Sequence, residues 1–284
     1  MYRFTSGDVC TPEDIRKPEI YRAVAANLGT WHGSLSIAAI SNKQDLEAPG
    51  THGQTSRPHP NLWSVMQSWI EALPAKTEKE KERQRGVQED YNYLYAQMAD
   101  SPGLDGKDYV FSHCDLLSGN VIVLQPESSM NGHNGQCATP KISFIDYEYA
   151  SPAPAAFDIA NHFAEWAGFD CDHSAMPTKS QRREFLTHYV RSFRAETHPH
   201  MSEQELGPAV DEVYKQVDIY RGVPGFYWGI WALIQAQIST IDFDYADYAE
   251  QRFGEFTAWK AETDGSRKRK GGAMSIREKK WAQE

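Results

Sequence analysis

The chain has 284 residues and a mass of 32.2 kDa, enough for one large domain or two smaller ones. Its formal charge of −10 repels phosphate backbones and argues against general nucleic-acid binding, and no apolar run approaches the roughly 18 residues of a membrane span. The start, "MYRFTSGDVC", lacks a secretory pattern, and Cys10, Cys114, Cys137 and Cys171 form neither a CxxC pair nor a disulfide framework, so the chain reads as soluble and cytoplasmic.

In chain order, "PEIYRAVAANLGTWH" carries Ile20, Val24, Ala25, Leu28 and Trp31 at helical spacing, with Pro18 suited to a first turn. Residues 41–61 are rich in Asn, Gly, Thr, Pro and His and read as an exposed loop. "NLWSVMQSWIEAL" aligns Leu62, Val65, Met66, Trp69, Ile70 and Leu73 on one face, which predicts a second helix closed by Pro74. The stretch from Lys76 begins as a solvated charge run and turns amphipathic at Val87, predicting one long exposed helix. Three strand-like runs follow, "DYVFS", "NVIVL" and "KISFIDY", the last two flanking a polar insert expected to be a hairpin tip. Gly and Pro signals then predict helices near 155–167, 179–196, 202–221, 225–240 and 244–262. The final segment, 263–284, is basic and polar. Its "RKRK" could be a nuclear address or an anion-binding patch, but the reading adopted is a disordered, solvated tail whose deletion leaves activity unchanged.

The chemistry-bearing residues cluster in "FSHCDLLSGNVIVL", where His113, Asp115 and Asn120 follow the spacing H-x-D-x-x-x-x-N just before a strand. A second strand, "ISFID", is expected to end on Asp146. Phosphoryl transfer from ATP needs one carboxylate at the acceptor hydroxyl and oxygen ligands for Mg²⁺, and this set supplies both. Protein kinases place a catalytic Asp, an Asn five residues on and a second Asp on a following hairpin in these roles. A polar turn before a buried strand would show the same spacing by itself. There is no D-F-G at Asp146 and no activation segment, so a small-molecule acceptor is expected instead of a protein.

"FSHCDLLSGNVIVL", "FIDYEYASPAPAAFDIANHFAEW" and "GFYWGIWALIQAQIS" together, in order, resemble the choline/ethanolamine kinase family. The resemblance implies an α+β fold like a protein-kinase C-terminal lobe, mostly helical, with a small β-hairpin carrying the catalytic residues. It implies that Asp115 is the catalytic base, that Asn120 and Asp146 hold Mg²⁺ and the ATP phosphates, and that His113 braces the loop. Glu148 would be a further metal ligand, a group behind the ligands or a surface carboxylate; on an extended strand it would point the same way as Asp146. Asp158 would hold the loop's backbone or serve as a helix N-terminal charge. Trp228 and Trp231, three apart on a predicted helix, share a face and with Tyr227 would bind the cationic amine, Glu165 giving the compensating charge. As ordinary core aromatics they would show the same spacing.

The implied activity is ATP-dependent phosphorylation of ethanolamine to phosphoethanolamine, for phosphatidylethanolamine synthesis. Within the family the chain looks most like fungal-type ethanolamine kinases, and the acidic "AGFDCDH" after Trp166 suits a primary ammonium. Choline or an aminoglycoside is the alternative acceptor, and a non-catalytic amine-binding protein the alternative class. "MYRFTSGDVCTPEDI" looks like the hinge, near 1–10, and the start of the C-terminal lobe (1–262). No G-x-G-x-x-G run occurs in the sequence, which leaves ATP turnover by this chain open and makes a homo-oligomer one expectation. Cys114 stands where the family tends to carry Asn inside H-x-D.

Overall fold

The computed structural model describes residues 5–40, 57–125, 139–200 and 202–284. Helix α1 (Pro18–Ser34) starts on Pro18, whose missing N–H costs nothing in a first turn, and buries Ile20, Tyr21, Val24, Ala25 and Leu28. It lies so close to α5 (Lys179–Thr197) that a Cβ on Gly29 would stand 2.3 Å from the Tyr189 carbonyl oxygen. Side-chain caps start the next helices. Asn61 caps α2 (Leu62–Glu71) and Thr77, with Glu80 reaching back, caps α3 (Glu78–Met98). The charged first half of α3 is solvated, whereas Val87, Tyr91, Leu94 and Met98 are buried at helical spacing. Helices α4 (Ala155–Ala164), α6 (Glu203–Tyr220), α7 (Val223–Ile238) and α8 (Tyr245–Thr263) follow the predicted spans within a few residues.

The strands form two small antiparallel sheets. β1 (Gly7–Val9), β3 (Val121–Leu124) and β4 (Ile142–Phe144) make one, with β3 central and Val121 opposite Phe144. β2 (Val110–Ser112) does not join them; it pairs with β5 (Ser151–Ala153), Phe111 opposite Pro152. Neither β1 nor β5 was predicted, because three residues are too few to show alternation. The expected hairpin of β3 and β4 is present, but most of its polar insert, with Cys137, and most of the 41–61 loop lie outside the described residues. The fold is a mostly helical, kinase C-lobe-like body with small β elements at the site.

Two expectations need correction. β4 ends at Phe144, not at Asp146, which sits past the strand in the left-handed region at φ 60°. Glu148 is therefore not strand-aligned with Asp146. The tail beyond residue 262 is also not a solvated coil. It forms α9 (Ser266–Arg269) and α10 (Ile276–Trp281), and Trp281 and Arg277 are buried. Trp281 packs near Phe163 and lies under the Arg182 guanidinium at 3.8 Å, while Arg182 donates to the Trp281 carbonyl at 2.9 Å. The apolar partners of this polar segment come from distant parts of the chain, so its composition hides its burial.

Candidate active site

The loop from His113 to Asn120 leaves β2 and is held from beneath by one face of α4. Asp158, fully buried, accepts the backbone N–H groups of His113 (2.9 Å) and Cys114 (2.8 Å), and His32 bridges it to Tyr189. Burial alone would raise this carboxyl, but the bonds and charge from His32 and His113 outweigh it and hold it below its usual range. The structure thus makes Asp158 the support of the loop backbone. Asn161 donates to the Cys114 carbonyl at 3.0 Å, and His162 donates through Nδ1 to Leu116 at 2.8 Å. Burial drives the His162 imidazole down to about 4, so it stays neutral. Asn161 and His162 were not singled out in the sequence; the signal was there, as polar residues three and four after Asp158 in an apolar helix.

His113 is buried, and burial lowers its basicity. It donates Nε2–H to the Ile145 carbonyl at 3.0 Å, tying the catalytic loop to the residue before Asp146. That bond makes it a brace. Asn120 donates its amide to the Asp115 carbonyl (2.7 Å) and carboxylate (3.1 Å), leaving its own Oδ1 for a cation. The Asp115 carboxyl is pushed up to about 8, first by burial, then by the charge of Glu165, with Asp146 and Glu148 adding to it against the Asn120 bond. Three other carboxylates thus lie within electrostatic reach of Asp115. Asp146 and Glu148 are exposed. Among the described residues no three His, Cys, Asp or Glu side chains form a metal cage. The donors present, an amide oxygen and exposed carboxylates, are the hard oxygen ligands Mg²⁺ takes when phosphates and water complete its shell. They fit that ion.

Beside the loop stands a group of rings. Trp228 and Trp231 meet edge to face at 5.4 Å, and Tyr149 packs against Trp228 at 5.6 Å. Trp231 donates Nε1–H to the Tyr149 hydroxyl at 2.9 Å, Trp228 donates to Asn161 Oδ1 at 2.8 Å, and Tyr245 closes on Trp231 at 5.7 Å. Through Asn161 the ring group and catalytic loop share one support. Tyr227 packs edge to face on Trp228 at 5.0 Å and is 1% exposed, with Trp69 (4.6 Å) and Phe157 (5.4 Å) around it, so it meets the ring group from the core side, where Trp228 is buried too. Tyr149 and Tyr245 were missed because only folding brings them to the Trp pair. Glu165 is buried and its Oε1 accepts from Arg252 Nη2 at 3.1 Å, so its charge already has a partner. Asp172, one of the acidic residues read as ammonium partners, is exposed and accepts from the Ser174 N–H and hydroxyl in its own turn. A cavity of about 840 Å³ between α3 and α8 has none of these residues on its wall.

Comparison with known proteins bears on the same residues. The choline/ethanolamine kinase family matches residues 1–257. A probable ethanolamine kinase of Arabidopsis thaliana is 30% identical over 257 residues, 89% of this chain and 59% of that protein. The Drosophila melanogaster ethanolamine kinase is 31% identical over 276 residues, 92% of this chain and 46% of that protein. The chain thus spans about half the length of these relatives. Among solved structures, a Plasmodium vivax ethanolamine kinase superposes with a TM-score of 0.64 at 26% identity, over 90% of this chain and 63% of that one. Loop, hairpin and aromatic helix all fall inside the matched residues, and the chain belongs to the choline/ethanolamine kinase family.

Proposed function

We propose that the protein transfers the γ-phosphoryl group of Mg·ATP to the hydroxyl of a small amino alcohol, ethanolamine before choline. The observation that carries this is Asn120 bonded to Asp115 on a loop that His113 ties to the residue before Asp146, beside a ring group that shares the loop's support through Asn161. In this reading Asp115 accepts the acceptor's hydroxyl proton, Asn120 and Asp146 hold the metal, and Glu148, exposed past the strand, is available to it. Bound Mg²⁺ would neutralise the phosphates. Trp228, Trp231 and Tyr149 offer ring faces to the ammonium group, while Glu165 contributes charge at longer range. Tyr227 backs the rings from the core. The relatives named ethanolamine kinases support the primary amine. The ring group, together with a Glu165 already paired to Arg252, favours choline as the second reading, because a quaternary ammonium needs ring faces and no acceptors.

The test is phosphate transfer from Mg·ATP to ethanolamine and, separately, to choline, with Asp115→Ala as control. Transfer by the parent that is lost in the control is expected, and the ratio of kcat/KM values then ranks the amines. Transfer that persists in a folded Asp115→Ala protein, or no transfer by a folded parent, overturns the catalytic reading. Amine binding without transfer would leave a non-catalytic amine-binding protein.

A further inference from the structure

Between the amine site and the C-terminal helix runs a buried ladder of alternating charges. Glu165 accepts from Arg252 Nη2 at 3.1 Å, and the Arg252 Nε lies 3.6 Å from Glu255 Oε2. The same Glu255 oxygen lies 3.7 Å from Nε of Arg277, on α10, while the other, Oε1, is bonded to His173 Nε2 at 2.9 Å. Arg277 is in turn bonded to Glu278 at 2.9 Å, and Glu278 to Arg221 at 2.9 Å. Arg252, Glu255 and Arg277 are each at most 3% exposed. Two buried carboxylates, Glu165 and Glu255, thus flank one guanidinium on α8, and the second guanidinium that balances them arrives on a helix outside the family-matched residues. Glu165 lies one helical turn beyond Asn161, the residue that holds both Trp228 and the catalytic loop.

We propose that Arg277 is a positioning residue of the amine site: by engaging Glu255 it leaves Arg252 to hold Glu165, ionised and oriented, next to the catalytic loop. This rests on the amino-alcohol reading above for its functional consequence, while the ladder is tested independently of it. Without Arg277, Glu255 keeps the His173 bond at Oε1, but Arg252 is left as the one guanidinium near its Oε2, and Glu255, on the same helix as Arg252, competes with Glu165 for it. Glu165 then loses its partner, and burial drives it to the protonated form. Burial also raises the Glu165 carboxyl in the intact protein, with Arg252 opposing, while Glu255 is brought down to about 2 despite its burial, by Arg252, His173 and Arg277. The direction at Glu255 follows the ladder, and Glu165, already raised by burial, is the carboxyl that loss of a guanidinium tips first.

The experiment reads the side-chain carboxyl ¹³C signal of Glu165 at pH 7, assigned by its loss in Glu165→Gln, together with the Kd for ethanolamine and for choline. Arg277→Met is expected to displace the Glu165 signal toward the protonated form and weaken amine binding by about tenfold. Arg277→Lys, which keeps the charge, is expected to leave the signal in place. The charge-balanced Arg277→Met/Glu255→Gln protein is expected to restore both signal and affinity, a rescue that a merely structural role for α10 would not give. An unmoved signal in a folded Arg277→Met protein overturns the proposal, as does a folded double variant that keeps the displaced signal. If Arg277→Met does not fold, the double variant decides by the same criterion. A parent that binds neither amine overturns the amino-alcohol reading, and the Glu165 signal still decides the ladder.

Discussion

Cys114 and Asp146 both adopt left-handed backbone conformations, φ 63° and φ 60°, directly beside and across from Asp115. Non-glycine residues there cost on the order of 1 kcal/mol, a strain that persists only when surrounding bonds fix it. For Cys114 those bonds are the N–H to Asp158 and the carbonyl to Asn161. Asn tolerates this conformation better than Cys, which gives a physical reason for the family's habit at that position. Asp115 carries a second cost, since its carboxyl is raised to about 8 in the folded protein against 3.8 in an unfolded chain. The folded state then holds one more proton than the unfolded state between those values, so stability from this group falls as pH rises from about 4 to about 8. Asp115→Asn is expected to abolish transfer and yet raise stability, with a gain that grows from pH 5 to pH 8. Urea unfolding at both pH values checks it, and a gain independent of pH would contradict the assignment. His113, Asp115 and Asn120 could be singled out from sequence because they lie within eight residues, though it took the family resemblance as well as their spacing to give them roles. Tyr149, Asn161 and His162 gain their roles only through contacts made across the fold.

At the scale of elements, helix periodicity and Gly and Pro signals carried most of the prediction. α3, α5 and α6 begin at Thr77, Thr178 and Ser202, each with a Glu or Gln three residues on, a pattern readable in sequence. β5 was hidden because it is three residues long and contains Pro152, which sequence reasoning takes as a breaker. α10 was hidden for a different reason: its burial depends on Arg182, Asp218 and Glu255, none of which is near it in sequence. Its Trp281 donates to Asp218 at 2.6 Å and is 4% exposed. Trp281→Ala is therefore expected to cost about 3 kcal/mol in urea unfolding. A change below about 0.5 kcal/mol would restore the solvated-tail reading. Removing everything after Glu262, expected from composition to be harmless, is now expected to be as damaging.

For the whole molecule, the charge of −10 bears on how the reactants of the proposed transfer would arrive. A cationic amine is drawn toward such a surface, and toward the carboxylates gathered at Asp115, whereas ATP without its metal is repelled. The Kd for the amine is expected to rise several-fold between about 0.05 M and 0.5 M NaCl, as the Debye length shrinks. Affinity measured by calorimetry across that range checks it; a flat response would assign amine binding to the rings alone. Among the described residues no helix is long and apolar enough to cross a membrane.

The sequence by itself determined the helices, through 3.6-residue periodicity and Gly and Pro signals, and singled out the loop from His113 to Asn120, whose polar residues lie close together. Asp146 and the Trp228/Trp231 face were picked out through the family resemblance, and the expected strand placement of Asp146 was not found. Tertiary structure alone decided that Tyr227 belongs to the core and Tyr149 to the ring group, that Glu165 has an arginine partner, and that the basic tail is a packed helix. Each of these depends on which distant residue arrives opposite, and a buried charge or ring takes its meaning from that partner.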